Sequence, residues 1–473
     1  MGLVDRLLGS APARLARGAL GDSEGVWIAG GAVRDAALGR EVTDLDLAVA
    51  GDPAPVAKAI ARAGDGHSFE LSSEFATWRA VARDGSWQVD ATALRGETIA
   101  ADLAARDFTV GAVAVPLAGG EPIDPAAGLA DLDRRLLRVV SEGSFRADPL
   151  RLLRAARLAA ELELELDPAT AELARAEAER VDEAAGERQL AELRRLLGGP
   201  DPLRGLALLD EHGLTAVVLP ELEALRGVGQ GPNHHLDVHG HTLAVLERTL
   251  EVESDLERFA GERAAEARAL LAEPLGDELS RGTALRFGAI LHDIGKPATR
   301  GERDGYVTFI GHDQVGAGLV GSFCKRMRAG RRLTGHLEGL TRHHLRLGFM
   351  VHEMPLPPRR VHEYLRETGP VAADVTLLTV ADRLSARGSG PFATEEAIEA
   401  HLTLAREMLA AALDWRREGP PRPLLRGDEL AAELGVEEGP ELGDLLAELE
   451  AAQYAGEIET REAALERARR LRS

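Results

Sequence analysis

Between Trp27 and Asp52 the hydrophobic pattern changes period twice. Trp27 and Ile28 end a short apolar run that predicts a strand, Gly30 and Gly31 predict a turn, and Ala32 to Leu38 has the spacing of a helix. Val42 to Ala50 then predicts a second strand, with Leu45, Leu47 and Val49 on one face and Asp44 and Asp46 on the other. Pro53 to Ala63 predicts a helix, and Phe69 to Leu71, Thr77 to Ala82 and Trp87 to Ala91 predict short strands, the last two joined by an Asp84-Gly85 hairpin turn. Met1 to Gly25 is expected to add a short helix in front, and Leu94 to Ala105 to be irregular or helical. Beyond Pro168 the period is helical almost throughout, with Leu173, Leu190, Leu193, Leu196 and Leu197 marking an apolar stripe. The pattern therefore predicts a region of short strands and helices, followed by a long all-helical remainder.

Composition sharpens this. A chain of 473 residues exceeds one core and implies several domains. Hydrophobic content is 45% and no apolar run reaches about 18 residues, so no membrane span or membrane partner is expected. The start, MGLVDRLLGS, lacks a secretory pattern and the hydroxyl residue of a myristoylation motif. Cys324 is the single cysteine, which excludes an intrachain disulfide framework and fits a reducing cytoplasm. The net charge of −22 counts against a polyanionic partner. However, the acids concentrate in helical stretches at 161–192, 247–278 and 429–466, while arginines cluster at 134–157 and basic residues at 325–346.

Two carboxylates two residues apart on a strand lie roughly 7 Å apart on one face. Asp44 and Asp46 can thus hold a pair of divalent cations about 4 Å apart, the spacing of two-metal phosphoryl transfer. Backbone N–H groups at Gly30 and Gly31, unobstructed by Cβ atoms, can approach a phosphate, and Arg34 can neutralise one. Taken singly, a Gly-Gly pair is also an ordinary turn, and Asp-x-Asp is also a solvated strand edge. Asp90, on the last predicted strand, is either a third carboxylate or a polar strand-end residue.

The succession GGAVRD and TDLDLAVAGD resembles the nucleotidyltransferase head of the DNA polymerase β type, and more closely that of the class II tRNA nucleotidyltransferases and bacterial poly(A) polymerases. The family's RRDFT-type motif is matched at Arg106, Asp107, Phe108 and Thr109, with Ala105 in place of its first Arg and Gly111 in place of an Asn. The resemblance implies that Arg106 and Asp107 contact ribose and phosphates. Asp107 alternatively bonds local backbone. In FRADPLRLLRAARL, Asp148 and Arg151 match the family's Glu-Asp-x-x-Arg motif, which selects CTP and then ATP, while Ala147 replaces its Glu. Asp148 ahead of Pro149 also has the makings of a helix N-cap. Arg154 and Arg157 extend the stripe toward phosphate.

Eleven of the 14 histidines fall between His234 and His362. HHLDVHGHTLAVLE opens a helix at His241, FGAILHDIGKP places His292 and Asp293 in an apolar helix, and LLTVADRL supplies Asp382. This order resembles the HD phosphohydrolase superfamily and implies a divalent transition metal, of unassigned identity, on His241, His292, Asp293 and Asp382. His312 and His344 are candidates for a second metal or for phosphate contacts, and Lys296 for phosphate. PPRP at 420–423 breaks the chain before an acidic helical tail.

The expected fold is multidomain α+β, with a head at residues 1–140, an all-α neck and body at 141–226, an all-α HD domain at 227–418 and a helical tail at 419–473. The resemblance implies a cytoplasmic, template-independent enzyme that uses magnesium at Asp44 and Asp46 to add CMP and AMP from CTP and ATP to the 3′ end of tRNA or another RNA, with no DNA partner. A poly(A) polymerase, or an enzyme adding only CC or only A, is the neighbouring reading. From another class, the chain is an HD phosphohydrolase of nucleotides or cyclic phosphates whose head only binds RNA, or an RNA-binding scaffold.

Overall fold

The computed structural model describes residues 2–21, 23–73 and 76–472, which form two compact units, 1–218 and 219–473. The expected boundary after residue 140 falls inside the first unit, and that after residue 418 inside the second. Among the described residues no helix is long and apolar enough to cross a membrane.

The first unit opens with two helices rather than one, α1 (Leu3–Leu8) and α2 (Ala11–Leu20). A six-stranded sheet follows, built from β1 (Val26–Ala29), β2 (Asp44–Val49), β3 (His67–Ser72), β4 (Thr77–Val81), β5 (Gln88–Ala93) and β6 (Ala114–Pro116). The strand order is β3-β4-β5-β2-β1-β6. Within this sheet, among the described residues, β2 and β5 are the one parallel pair, and their register sets Asp46 opposite Asp90. The helices α3 (Gly31–Ala37) and α4 (Pro53–Ala63) connect strands, and Asp52 caps α4 by accepting from Ala54 N at 2.9 Å.

The alternation in β2 does what it predicts. Leu45, Leu47 and Val49 enter a core shared with Ala57 and Ile60 of α4 and Ala13 and Ala16 of α2. On the opposite face Ala48 is buried with Ile99 and Leu103 of α5 (Ile99–Ala104). That cover leaves Asp44 and Asp46 exposed at the beginning of the strand.

Past the sheet, Thr109 Oγ1 donates to buried Asp131 at 2.6 Å and Arg138 Nε donates to the same carboxylate at 3.0 Å, fixing the segment that carries Arg106 and Asp107. The helix α6 (Arg151–Leu162) packs on α7 (Gly186–Gly198).

The second unit is helical apart from short hairpins. Its centre is α8 (Val238–Ser254), α9 (Arg281–Leu291), α10 (His312–Arg326), α11 (Arg331–His343) and α12 (Ala372–Ser385), with α13 (Glu395–Glu418) against α12. The tail helices, among them α14 (Pro440–Tyr454), enclose a small core of Leu430, Leu445, Leu449, Ala452 and Ala464. Arg359 forks between Glu448 and Glu457 and ties the tail to this unit. Burial pushes the Cys324 thiol up to about 11, so it stays protonated.

Candidate functional sites

In the first unit the parallel register gathers Asp44, Asp46 and Asp90 on one face. Asp90 is gripped by Arg79 of β4 through two bonds of 2.8 Å, a cross-strand fork that fixes the carboxylate beside Asp46. Asp46 is pushed up to about 6, by its desolvated setting first and then by Asp90. Although its edge is reachable by solvent, the surrounding protein displaces much of its hydration. Negative charge is therefore under-compensated here, which is what a site for divalent cations requires, and the donor set of hard carboxylates suits magnesium.

Gly30 has φ +77, and a Cβ there would lie 2.8 Å from Arg106 Nη1 and 3.5 Å from Asp46 Oδ2. Glycine is what lets the Arg106 guanidinium and the Asp46 carboxylate approach the turn. The expectation that the Gly30 N–H faces a phosphate is corrected: it donates to Val113 O at 3.3 Å and belongs to the sheet edge. Gly31 opens α3, whose Arg34 pairs with Asp35 at 2.9 Å. Arg106 is held by Asp102 at 3.1 Å and donates to the carbonyl of Gly111 at 3.3 Å.

Asp107 accepts from Phe108 N at 2.8 Å and from Arg154 Nη1 at 3.0 Å, so its local-backbone and its charge-pairing roles coexist. Burial opposes the shift, but Arg154 holds Asp107 below the usual carboxylate range. Arg151 donates to Ser144 Oγ at 2.8 Å and to the carbonyls of Ala105 and Arg106 at 3.2 and 3.4 Å. With Ala147 in place of a Glu, Ser144 thus supplies an acceptor for Arg151. Asp148 stands before α6 and accepts from Leu150 N at 3.2 Å, as a cap does, and from Arg188 of α7 at 2.8 Å. Arg157 departs from its expected place in the nucleotide site. It is buried and bonded to Glu192 at 2.7 Å and Glu161 at 2.6 Å, so its guanidinium joins α6 to α7. Arg79, Ser144 and Arg188 escaped the sequence reading: the register of the Asp84-Gly85 hairpin pairs Arg79 with Asp90 and could have found the first, whereas the partner of Arg188 is set by helix packing.

The second unit contains a histidine–carboxylate centre of two triads, His241–His292–Asp382 and Asp293–His312–His344. Asp293 lies between them. Its Oδ2 is 3.2 Å from His292 Nε2 and 3.7 Å from His241 Nε2, and its Oδ1 is 3.3 Å from His312 Nε2 and 3.7 Å from His344 Nε2. His241 Nε2 meets Asp382 at 3.0 Å. All six residues expected at this centre are brought together, with His312 and His344 as full members.

The rings are oriented from behind. Nδ1 of His292, His312 and His344 approaches the carbonyls of Ala289, Phe309 and Thr341 at 2.9, 2.7 and 2.7 Å. Donation there places the lone pair on Nε2, aimed inward. His292 Nε2 is buried without a hydrogen-bond partner among the described residues, as a ligand awaiting a cation is. Against its burial, His292 and Lys296 hold Asp293 well below the usual carboxylate range, and burial pushes His344 down to about 4. The carboxylate and the neutral His344 imidazole are the ligating forms, while Asp293 raises His292 against its burial, so a cation bound there displaces a proton. Lys296 Nζ reaches Asp293 at 2.7 Å.

The chain thus joins a carboxylate-bearing mixed sheet to a histidine–aspartate centre on helices. Residues 26–138 match the poly A polymerase head domain, 163–225 the probable RNA and SrmB-binding site of polymerase A, and 238–387 the HD domain. The A-adding tRNA nucleotidyltransferase of Deinococcus radiodurans is 36% identical over 443 residues, covering 92% of this chain and 93% of that protein. The CC-adding tRNA nucleotidyltransferase of Thermus thermophilus is 35% identical over 444 residues, covering 92% and 91%. The solved structure of the Thermotoga maritima CCA-adding enzyme complexed with tRNA superposes with a TM-score of 0.59 at 20% identity, covering 99% of this chain and 98% of that one, a likeness of fold. The chain belongs to the tRNA nucleotidyltransferase family.

Proposed function

We propose that this enzyme extends the 3′ end of tRNA without a nucleic-acid template, using CTP, ATP or both, and that residues 1–140 carry the transfer site, 141–226 the nucleotide- and RNA-binding neck and body, 227–418 a phosphohydrolase centre and 419–473 a supporting tail. The observation that carries the transfer reading is the convergence of Asp44, Asp46 and Asp90 beside Gly30 and Arg106. Asp44 and Asp46 would hold magnesium, which when bound supplies activation of the RNA 3′ hydroxyl and neutralisation of the leaving pyrophosphate. Asp90, fixed by Arg79, completes the acidic face and raises the charge that attracts the ions. Arg34 and Arg106 screen the triphosphate, and Gly30 keeps the approach open. Asp148 accepts from an exocyclic amine and Arg151 donates to a ring nitrogen or carbonyl, an arrangement that suits cytosine and adenine. Arg154 positions Asp107 against the sugar-phosphate. A-adding and CC-adding relatives are about equally similar, so addition of A alone or CC alone stands beside full CCA addition, and poly(A) synthesis beyond them. Incubation with radiolabelled CTP or ATP and tRNA lacking its terminal nucleotides separates these by product length, and absence of any incorporation refutes the reading.

The second centre favours a second activity. His241, His292, Asp293, His312, His344 and Asp382 would hold divalent transition-metal ions, which when bound supply an activated water for phosphoester hydrolysis. Lys296, bonded to Asp293 and Gln230, would offer its remaining proton to a phosphoryl oxygen. Metal analysis and hydrolysis of a 2′,3′-cyclic nucleotide test this, and a protein that takes up no nickel, manganese or cobalt contradicts it.

A further inference from the structure

The segment from Gly227 to Asp237 sends two side chains to the histidine–carboxylate centre. Gln230 Oε1 accepts from Lys296 Nζ at 2.7 Å. The His234 ring stands edge-on to that of His241, with centroids 4.6 Å apart. His234 belongs to neither ligand triad, yet its Nδ1 is buried without a hydrogen-bond partner among the described residues.

This placement is enforced at both ends. At the base, Asp237 Oδ2 accepts from Gly227 N at 2.7 Å and Val228 O accepts from Val238 N at 2.9 Å. At the tip, the turn after α12 grips the segment. Gly388 N donates to Asn233 O at 2.8 Å, Ser389 N and Gly390 N donate to Pro232 O at 2.8 and 2.9 Å, and Phe392 N donates to Asn233 Oδ1 at 3.1 Å. The contact tolerates no side chain. A Cβ at Gly388 would lie 2.1 Å from Pro232 O, and one at Gly390 2.2 Å from Asn233 Oδ1. The same turn continues the helix that carries Asp382, so one element fixes a metal ligand and the clamp on His234 together. A segment held this closely, presenting an imidazole with spare hydrogen-bonding capacity beside the ligands, is built to receive something there.

We propose that His234 is a substrate-contacting residue of this centre, binding a phosphoryl oxygen of a phosphate ester, and that the Gly388–Gly390 turn is the device that positions it. The proposal rests on the phosphohydrolase reading for its chemistry. Its contact is tested separately, by calorimetric titration of inorganic phosphate onto the manganese-loaded full chain. His234→Ala should weaken phosphate binding by about tenfold or more, the loss expected for one hydrogen bond to a charged group. Gly388→Ala should do the same with His234 still present, and His234→Gln should recover part of the affinity. Manganese content should be unchanged in both His234 variants. With bis(p-nitrophenyl) phosphate as substrate, His234→Ala should raise KM more than it lowers kcat. Undiminished phosphate binding in His234→Ala overturns the proposal, as does loss of manganese, which would make His234 a ligand. A wild-type protein that binds phosphate through His234 yet hydrolyses no ester upholds the contact and defeats the hydrolase reading instead.

Discussion

At Asp46 the cost of ionisation is local and its sign can be worked out. The folded carboxyl is pushed up to about 6 from 3.8 by its desolvated setting and Asp90, so ionisation opposes folding in full above about 6 and not at all below 3.8. Asp46→Asn should therefore raise the magnesium-free melting temperature at pH 8 and leave it unchanged at pH 3.5, while nucleotide addition falls by at least about a hundredfold. Thermal melts at the two pH values check this, and a variant less stable at pH 8 contradicts it. Arg151 offers a second test. A base-edge contact is worth roughly 1–3 kcal/mol, so Arg151→Ala should shift the ratio of CTP to ATP use by about five- to a hundredfold and weaken tRNA binding less. An unchanged ratio would reduce Arg151 to a brace for the carbonyls of Ala105 and Arg106. The acidic pair Asp44 and Asp46 was legible because period two alone sorts a strand's faces. The partners were less so. Arg79 faces Asp90 through the register of the predicted hairpin, a signal left unused, whereas Arg188 lies 40 residues from Asp148 and no local pattern encodes a pairing set by helix packing.

The turn before α3 belongs to the scale of elements. Gly30 adopts φ +77, open to glycine and strained for other residues, and the space a Cβ would need is held by Arg106. Gly30→Ala should cost about 1–3 kcal/mol of stability and displace Arg106, lowering activity beyond what the loss of folded protein explains. Activity per folded molecule, with folding followed by circular dichroism, is the readout. Elements whose pattern is local, such as β2, α4 and the β4–β5 hairpin, were readable in advance. The start of α6 was less so, since Asp148 takes an extended backbone and the helix begins at Arg151, after Pro149. The parallel pairing of β2 with β5, which delivers Asp90 to Asp46, follows from the order of strands in the sheet and not from any single strand.

Over the whole molecule, each centre draws its groups from one compact unit, the carboxylates from residues 1–218 and the histidine ligands from 219–473. His292→Ala combined with Asp293→Ala should therefore abolish transition-metal uptake and phosphoester hydrolysis, while nucleotide addition continues at nearly its original rate. Retained manganese or nickel in that variant contradicts the ligand assignment. The net charge of −22 is an average over the chain, and Arg106, Arg151 and Arg154 stand close to one another in the first unit. The central claim is nucleotidyl transfer at Asp44 and Asp46. Its most direct measurement is incorporation of radiolabelled CTP and ATP into tRNA stripped of its terminal nucleotides, by the wild type and by folded Asp44→Ala and Asp46→Ala. The wild type should extend the tRNA by a defined one to three nucleotides, as about one CCA triplet allows, and neither variant should extend it. Full incorporation by either folded variant would contradict the assignment.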